Sequence, residues 1–260
     1  MTVSLPGQAY LAPADLLQDR IILVTGASAG IGREAALSYA RHGAQLILLG
    51  RDGTRLKTLA QQIVAEGAPR PHLIHCDLLT LNEAQSRALV ADLGQRVDRL
   101  DGLLHSAGLL GDIAPLAQQD YDQWQAVMQV NVNAQFLLTR DLLPLLQRAP
   151  RASLIFTSSS VGRQGRAGWG AYAVSKFATE GMMQVWAEEL AASSVRVNAI
   201  NPGATRTAMR ASAYPDEDPH TLLTPAQIMP LYLYLMGDDS QNVHGRSLDA
   251  QPGRRPGRAG

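Results

Sequence analysis

Tyr172 and Lys176 carry the clearest chemical potential in the chain. They stand four residues apart, so on a helix they share a face, one turn from each other. Ser159 precedes Tyr172 by thirteen residues, and a hydroxyl, a phenol and an ammonium could therefore meet in one pocket. A phenol with its ordinary pKa of about 10 is a poor base at neutral pH, but a nearby ammonium favours the phenolate and lowers that value. A serine hydroxyl can donate a hydrogen bond where negative charge develops on oxygen. Such a set suits hydride transfer at a carbonyl or alcohol carbon, with the hydride supplied by a cofactor. Lysine occurs only at 57 and 176, and arginine supplies the rest of the positive charge. A Tyr-x-x-x-Lys spacing also arises on helices with no chemistry, so the rest of the chain must supply its context.

The elements that would position these residues are readable from the pattern. Leu154 to Ser158 reads as a strand, and a Gly/Arg-rich loop leads from it into a Tyr172 helix ending near Ala192. Upstream, short apolar runs at 20–25, 45–50, 72–76 and 100–106 alternate with helical stretches at 31–42, 54–66, 82–96 and 121–148. The last of these carries Trp124, Val127, Met128, Val130, Val132, Phe136 and Leu137 as apolar positions. Downstream come a strand at 195–200, a polar excursion over 201–224, a helix at 225–236 and a final strand at 246–250. Alternation of this kind predicts an α/β single-domain Rossmann fold. Its doubly wound parallel sheet has about seven strands, with helices on both faces. Residues 1–19 read as an irregular lead-in, 20–250 as the nucleotide-binding and catalytic domain, and 251–260 as a mobile Gly/Pro/Arg-rich tail.

Thr25-Gly26-Ala27-Ser28-Ala29-Gly30-Ile31-Gly32 joins the first strand to the first helix. Glycines there let the chain turn tightly and let a pyrophosphate approach the N–H groups of a helix N-terminus. The GxxxGxG spacing differs from the GxGxxG fingerprint, and no Gly-Lys-Ser/Thr follows, which argues against an ATPase or GTPase. The second strand ends in Gly50-Arg51. An acid at that point would bind the ribose hydroxyls of NAD and repel a 2′-phosphate. A guanidinium would instead hold the phosphate, so NADP(H) is predicted over NAD(H). Arg33 could assist, or simply occupy the first helical turn.

The ordered set TGASAGIG, Asp77 in CDL, HSAG at 105–108, Asn131 in VNVNA, Ser159, Tyr172-x-x-x-Lys176 and Asn201-Pro202-Gly203 resembles the short-chain dehydrogenases/reductases over about residues 20–250. The strings TSSSVGRQGRAGWGAYAVSKFATEGMMQV and NPGATRTAMRA further resemble one bacterial branch of that family. The resemblance implies that Tyr172 is the acid/base, that Lys176 binds the nicotinamide ribose, that Ser159 holds the substrate oxygen and that Asn131 supports a water-linked proton relay. It implies a cofactor site built from Gly26, Ser28, Gly30, Ile31, Gly32, Arg51, Asp77, Leu78, Ala107, Gly108, Tyr172, Lys176, Pro202, Gly203, Thr205 and Thr207. Asp77 would meet the adenine, and Thr205 and Thr207 the carboxamide and phosphates. The family's usual NNAG is HSAG here. Alternation alone leaves Ser158, Ser159 and Ser160 all open as the inward serine, and the thirteen-residue spacing together with the resemblance favours Ser159.

The expected activity is an NADP(H)-dependent oxidoreductase acting on a small-molecule carbonyl or alcohol. A non-catalytic NADP-binding sensor or scaffold is the alternative, and an epimerase or dehydratase on the same cofactor a lesser one. Formal net charge is zero, so no bulk electrostatic attraction to nucleic acid or membrane is expected. No long apolar run or signal-like segment appears, and the lone Cys76 fits a reducing compartment, so the cytoplasm is the expected location. No metal is expected: His72 and His75 fall on opposite faces of a strand. Met182, Met183 and Trp186 read as core or subunit contact, and with the resemblance they suggest a homodimer or homotetramer. Arg163 and Arg166 could meet an anionic substrate group, a partner subunit or solvent. The 204–224 stretch has the length and composition of a lid.

Overall fold

Each short apolar run becomes a strand. The chain is described by a computed structural model over residues 10–253. The strands are β1 (Ile21–Thr25), β2 (Gln45–Gly50), β3 (His72–His75), β4 (Gly102–His105), β5 (Ala152–Thr157), β6 (Val195–Asn201) and β7 (Arg246–Asp249). All pair in parallel, in the order β3-β2-β1-β4-β5-β6-β7. The inner strands β1, β2, β4, β5 and β6 are buried on both faces, which is why their apolar residues run on rather than alternate, while the edge strands β3 and β7 are only partly buried.

The helices are α1 (Gly30–Arg41), α2 (Gly53–Ala65), α3 (Glu83–Gly94), α4 (Tyr121–Met128), α5 (Ala134–Gln147), α6 (Gly170–Glu189), α7 (Ala208–Ala213) and α8 (Met229–Met236). One core, built around Val24, Tyr39, Leu48 and Tyr232, lies under α1, α2 and α8. The other, around Leu23, Leu103, Leu138, Phe156 and Met183, lies under α3, α5 and α6. This is the doubly wound single-domain Rossmann arrangement, with the strand order reversing between β1 and β4.

Helix starts follow local chemistry. Asp52, Asn82 and Asp120 accept hydrogen bonds from the first-turn N–H groups of α2, α3 and α4, and Asn82 and Gln85 form a reciprocal capping box. No side chain caps α1, whose first turn is also free of acids. Its N–H groups are thus left facing the glycine loop.

Several boundaries differ from the sequence expectation. The helix expected over 121–148 is broken into α4 and α5 by a π-helical segment, Gln129–Asn133. The extra residue there is held by the side-chain bonds of Asn131 described below, a kind of defect that recurs at functional sites. Phe136, one of the apolar positions of that stretch, is 43% exposed. The 201–224 excursion is not irregular throughout: it contains α7 and a short turn at Pro219–Thr221, tied at its base by a bridge between Thr205 and Leu223. Leu17, in the lead-in, is fully buried. The tail expected to be mobile begins with Gln251, which is buried and donates to the carbonyls of Pro202 and Ala204 at 2.9 and 3.0 Å. Residues 1–9 of the lead-in and 254–260 of the tail lie outside the described residues. Among the described residues, no helix is long and apolar enough to cross a membrane, and no cluster of His, Cys, Asp and Glu could hold a metal.

Candidate active site

Parallel strands bring all their carboxyl ends to one edge of the sheet, and every candidate residue sits on a loop or helix that leaves that edge. Gly26 to Gly32 follow β1, Arg51 follows β2, Asp77 and Leu78 follow β3, Ala107 and Gly108 follow β4, Ser159 follows β5, and Pro202 to Thr207 follow β6.

The glycine loop is locked against the β4 exit. Thr25 Oγ1 accepts from the backbone N–H groups of Ser106 and Ala107, both at 3.2 Å. Gly26 has φ +67°, and a Cβ there would lie 2.7 Å from Ala107 backbone atoms. A side chain at this position is excluded both by conformation and by space. HSAG therefore keeps a tight backbone contact with the loop despite departing from NNAG. His105 is buried, stacks on Phe156 at 5.1 Å and shares a 2.8 Å hydrogen bond with Thr139. Burial pushes its pKa down to about 3, so the ring is neutral at neutral pH.

Asn131 is fully buried and bonds in several directions. Its Nδ2 donates to Leu109 O at 2.9 Å and to Ser175 Oγ at 3.0 Å, and its Oδ1 accepts from Leu109 N at 2.8 Å. Ser175 Oγ in turn donates to Tyr172 O at 2.7 Å. The π segment, the post-β4 loop and α6 are thereby joined beneath Tyr172. Lys176 is also buried, and its Nζ donates to Thr157 O at 2.8 Å. It lies 5.5 Å from the centroid of the Tyr172 ring.

The three serines left open by alternation differ in their surroundings. Ser158 turns inward, donating to the buried Glu180 carboxylate at 2.5 Å. Ser159 lies near enough to the Tyr172 phenol to favour its charged form, and both line one cavity. Ser160 accepts from Arg166 at 3.2 Å. Ser159 and Tyr172 can therefore engage one oxygen atom together.

Charge in the site departs from the sequence expectation. Burial pushes the Tyr172 phenol up to about 12, and the neighbouring Ser159 hydroxyl offsets only part of that. The expected lowering by the Lys176 ammonium is not among the causes of the shift; burial dominates, because leaving water costs the phenolate more than the neutral phenol. Burial also brings Lys176 down to about 8, opposed by the negative Glu180 one turn along. At neutral pH the pair is a protonated phenol beside an ammonium.

The cavity, about 360 Å³, is also lined by Ile31, Pro202, Gly203, Thr205 and Thr207. The Thr207 side chain lies opposite Gly30, where a Cβ would meet its Cγ2 at 3.6 Å, and its hydroxyl caps α7. Arg51, Asp77 and Leu78 lie outside the cavity wall, further along the same sheet edge. Arg51 is exposed, and its guanidinium has no hydrogen-bond or ion-pair partner among the described residues. Arg33 is held by Gln62 at 2.5 Å. Ser28 lies beside Gly50, where an added Cβ would be 3.5 Å from its hydroxyl. An uncapped helix start, a glycine loop and a strand end bearing Arg rather than an acid fit a dinucleotide with a 2′-phosphate.

Some site residues carried no sequence signal. Glu180 accepts from Ser158 and Ser247 and pairs with Arg163, which also pairs with Asp249 at 2.8 Å. Trp169 packs on Tyr172 at 5.7 Å and on Tyr214 at 5.9 Å, forming an aromatic wall. Ser175, inside Tyr-x-x-x-Lys, could have been flagged as a polar residue on the buried side of α6.

The sequence model of the short chain dehydrogenase family matches residues 20–218. The chain is 60% identical over 248 residues to YciK of Escherichia coli (strain K12), described as an uncharacterized oxidoreductase, covering 95% of this chain and 98% of that protein. Among solved structures it is similar to a short chain dehydrogenase of Shigella flexneri 2a complexed with NADP, with 60% identity and a TM-score of 0.91, covering 92% of this chain and all of that one. It is equally similar to one of Escherichia coli CFT073 complexed with NADPH, with 61% identity, a TM-score of 0.91 and the same coverage.

Proposed function

Because the chain belongs to the short-chain dehydrogenase family, we propose that it is an NADP(H)-dependent oxidoreductase interconverting a small-molecule carbonyl and its alcohol, with Tyr172 as acid/base. The observation that carries this reading is that Ser159 and Tyr172 share one cavity wall, with the Lys176 ammonium 5.5 Å from the Tyr172 ring centroid. The NADP and NADPH complexes of the similar proteins support the choice of cofactor. Gly26, Ser28, Gly30, Ile31 and Gly32 would hold the pyrophosphate at the start of α1. Arg51 would hold the 2′-phosphate, and Asp77 and Leu78 would border the adenine. Ala107, Gly108, Pro202, Gly203, Thr205 and Thr207 would flank the nicotinamide half, with Lys176 on its ribose.

When bound, the cofactor supplies or accepts the hydride. In reduction, Ser159 donates a hydrogen bond to the carbonyl oxygen, and Tyr172 Oη releases its proton to that oxygen as charge builds there. A phenol held protonated up to about pH 12 is ready as the acid. The Lys176 ammonium, aimed by Thr157 O, makes the resulting phenolate less costly. Asn131 supports the proton relay by bracing Tyr172 through Ser175. In oxidation the same atoms act in reverse.

A homo-oligomer is part of this proposal. Phe136 on α5 and Val174, Phe177 and Val185 on α6 are exposed apolar side chains suited to a second copy. The cytoplasm is the proposed location.

Incubating the protein with NADPH and a cell metabolite extract tests the activity. Consumption of carbonyl compounds coupled to NADPH oxidation is expected. NADPH binding without oxidation across the extract and a broad carbonyl panel would contradict it.

A further inference from the structure

Arginines from the loop after Ser159 and from α7 line the same cavity as Ser159 and Tyr172, and their partners differ. Arg163 is neutralised by Asp249 at 2.8 Å and by the buried Glu180 at 3.4 Å. Arg210 is neutralised by Glu217 at 2.6 Å and lies 3.6 Å over the Tyr214 ring. The one acid on the cavity wall, Asp249, is taken by Arg163 and by Asn201, the latter at 2.8 Å. Arg166 alone has no carboxylate within ion-pair reach among the described residues. Among the described residues, the one bond of its side chain runs from Nη2 to Ser160 Oγ, at 3.2 Å.

That bond ties the guanidinium to the residue next to Ser159, on the wall where the substrate oxygen would be held. The remaining N–H donors of Arg166 form a flat fork that matches a carboxylate or phosphate. Trp169, Tyr214, Met209 and Leu110 make the neighbouring wall apolar or aromatic, and the cavity also borders the glycine loop at Ile31. The space next to Tyr172 thus has an apolar wall and one uncompensated positive charge.

We propose that the substrate is a small carbonyl compound carrying an anionic group, carboxylate or phosphate, and that Arg166 binds that group and sets the specificity. This rests on the oxidoreductase reading above.

The test uses the full chain and matched pairs: 4-oxobutanoate against its methyl ester, and glyceraldehyde 3-phosphate against glyceraldehyde. With NADPH, the charged member of at least one pair should show a kcat/KM about 10- to 100-fold higher than its neutral partner, as expected for charge-assisted bonds. The pair with the larger ratio separates carboxylate from phosphate. Arg166→Gln should bring that ratio close to one, and Arg166→Lys should restore part of it. In parallel, calorimetric titration with succinate, glycerol 3-phosphate and dimethyl succinate reads binding without turnover. At least one of the two anions should bind the wild type about ten-fold or more tightly than it binds Arg166→Gln, and the diester should not discriminate. Neutral aldehydes reduced with no charge preference, or a preference that Arg166→Gln leaves intact, would overturn the inference while leaving the oxidoreductase reading in place. Arg166-dependent anion binding with no turnover of any compound would uphold the anion site and overturn that reading. No turnover and no anion binding would overturn both.

Discussion

Lys176 Nζ donates a 2.8 Å hydrogen bond to the carbonyl oxygen of Thr157, two residues before Ser159. The contact links the helix that carries Tyr172 to the strand that delivers Ser159. It fixes the position of the ammonium as well as its charge. Glu180 repeats the link one turn later through Ser158 and extends it to Ser247 on β7.

The charge state of this pair predicts a pH dependence. Lys176 sits at about 8, and its ammonium is lost as pH rises through that value. In the reduction assay kcat/KM should therefore fall above about pH 8. Glu180 holds the Lys176 pKa up, so Glu180→Gln should move the falling limb to lower pH. A pH–rate profile with the limb unmoved would argue against an electrostatic role for Glu180.

Gly162 marks a close approach between the Ser159 loop and the Tyr172 helix. A Cβ on it would lie 2.7 Å from Lys176 O. Gly162→Ala should push the loop from the helix, lowering both Tm and kcat, with a stability loss of about 1–3 kcal/mol. Thermal unfolding and steady-state kinetics on the same preparation check this. An unchanged Tm with full activity would mean that the loop is free to give way.

His105 predicts acid sensitivity. Its folded pKa of about 3 lies below the ordinary 6.5, so between those values the unfolded chain binds a proton that the folded chain does not. Stability from this group falls as pH drops from 6.5 toward 3, by about 2 kcal/mol between pH 7 and pH 5. Urea unfolding of wild type and His105→Asn at both pH values should show a smaller loss in the variant. Equal losses would mean that other groups account for the acid sensitivity.

Arg51 predicts cofactor selectivity. Its exposed guanidinium stands at the end of β2, where the β-carbon-free Gly50 leaves room beside Ser28. Arg51→Ala should weaken NADPH binding about 10-fold or more while barely changing NADH binding. Fluorescence titration reads both affinities. An equal loss for the two cofactors would place the 2′-phosphate elsewhere.

The sequence was most informative where local chemistry decides the outcome. Buried parallel strands announce themselves as apolar runs, and the glycine loop and Tyr172/Lys176 spacing need no tertiary knowledge. It was least informative where a distant partner decides. The π segment exists because Asn131 reaches Leu109 and Ser175, and no helical periodicity encodes that. Arg163 and Arg166 look alike in the chain, yet only Arg163 finds Glu180 and Asp249. The Tyr172 pKa went opposite to expectation because burial, invisible in a spacing pattern, dominates it.

The central claim is that Tyr172 moves the proton, and Tyr172→Phe tests it most directly. NADPH affinity and turnover should be measured on the same variant, with a carbonyl substrate that the wild type reduces. NADPH affinity should stay within about two-fold of wild type, since on the proposed mechanism the lost hydroxyl meets the substrate oxygen rather than the cofactor. Turnover should drop by roughly 10²–10⁴-fold, the range for loss of a general acid. A Tyr172→Phe protein that binds NADPH normally and turns over at the wild-type rate would contradict the account.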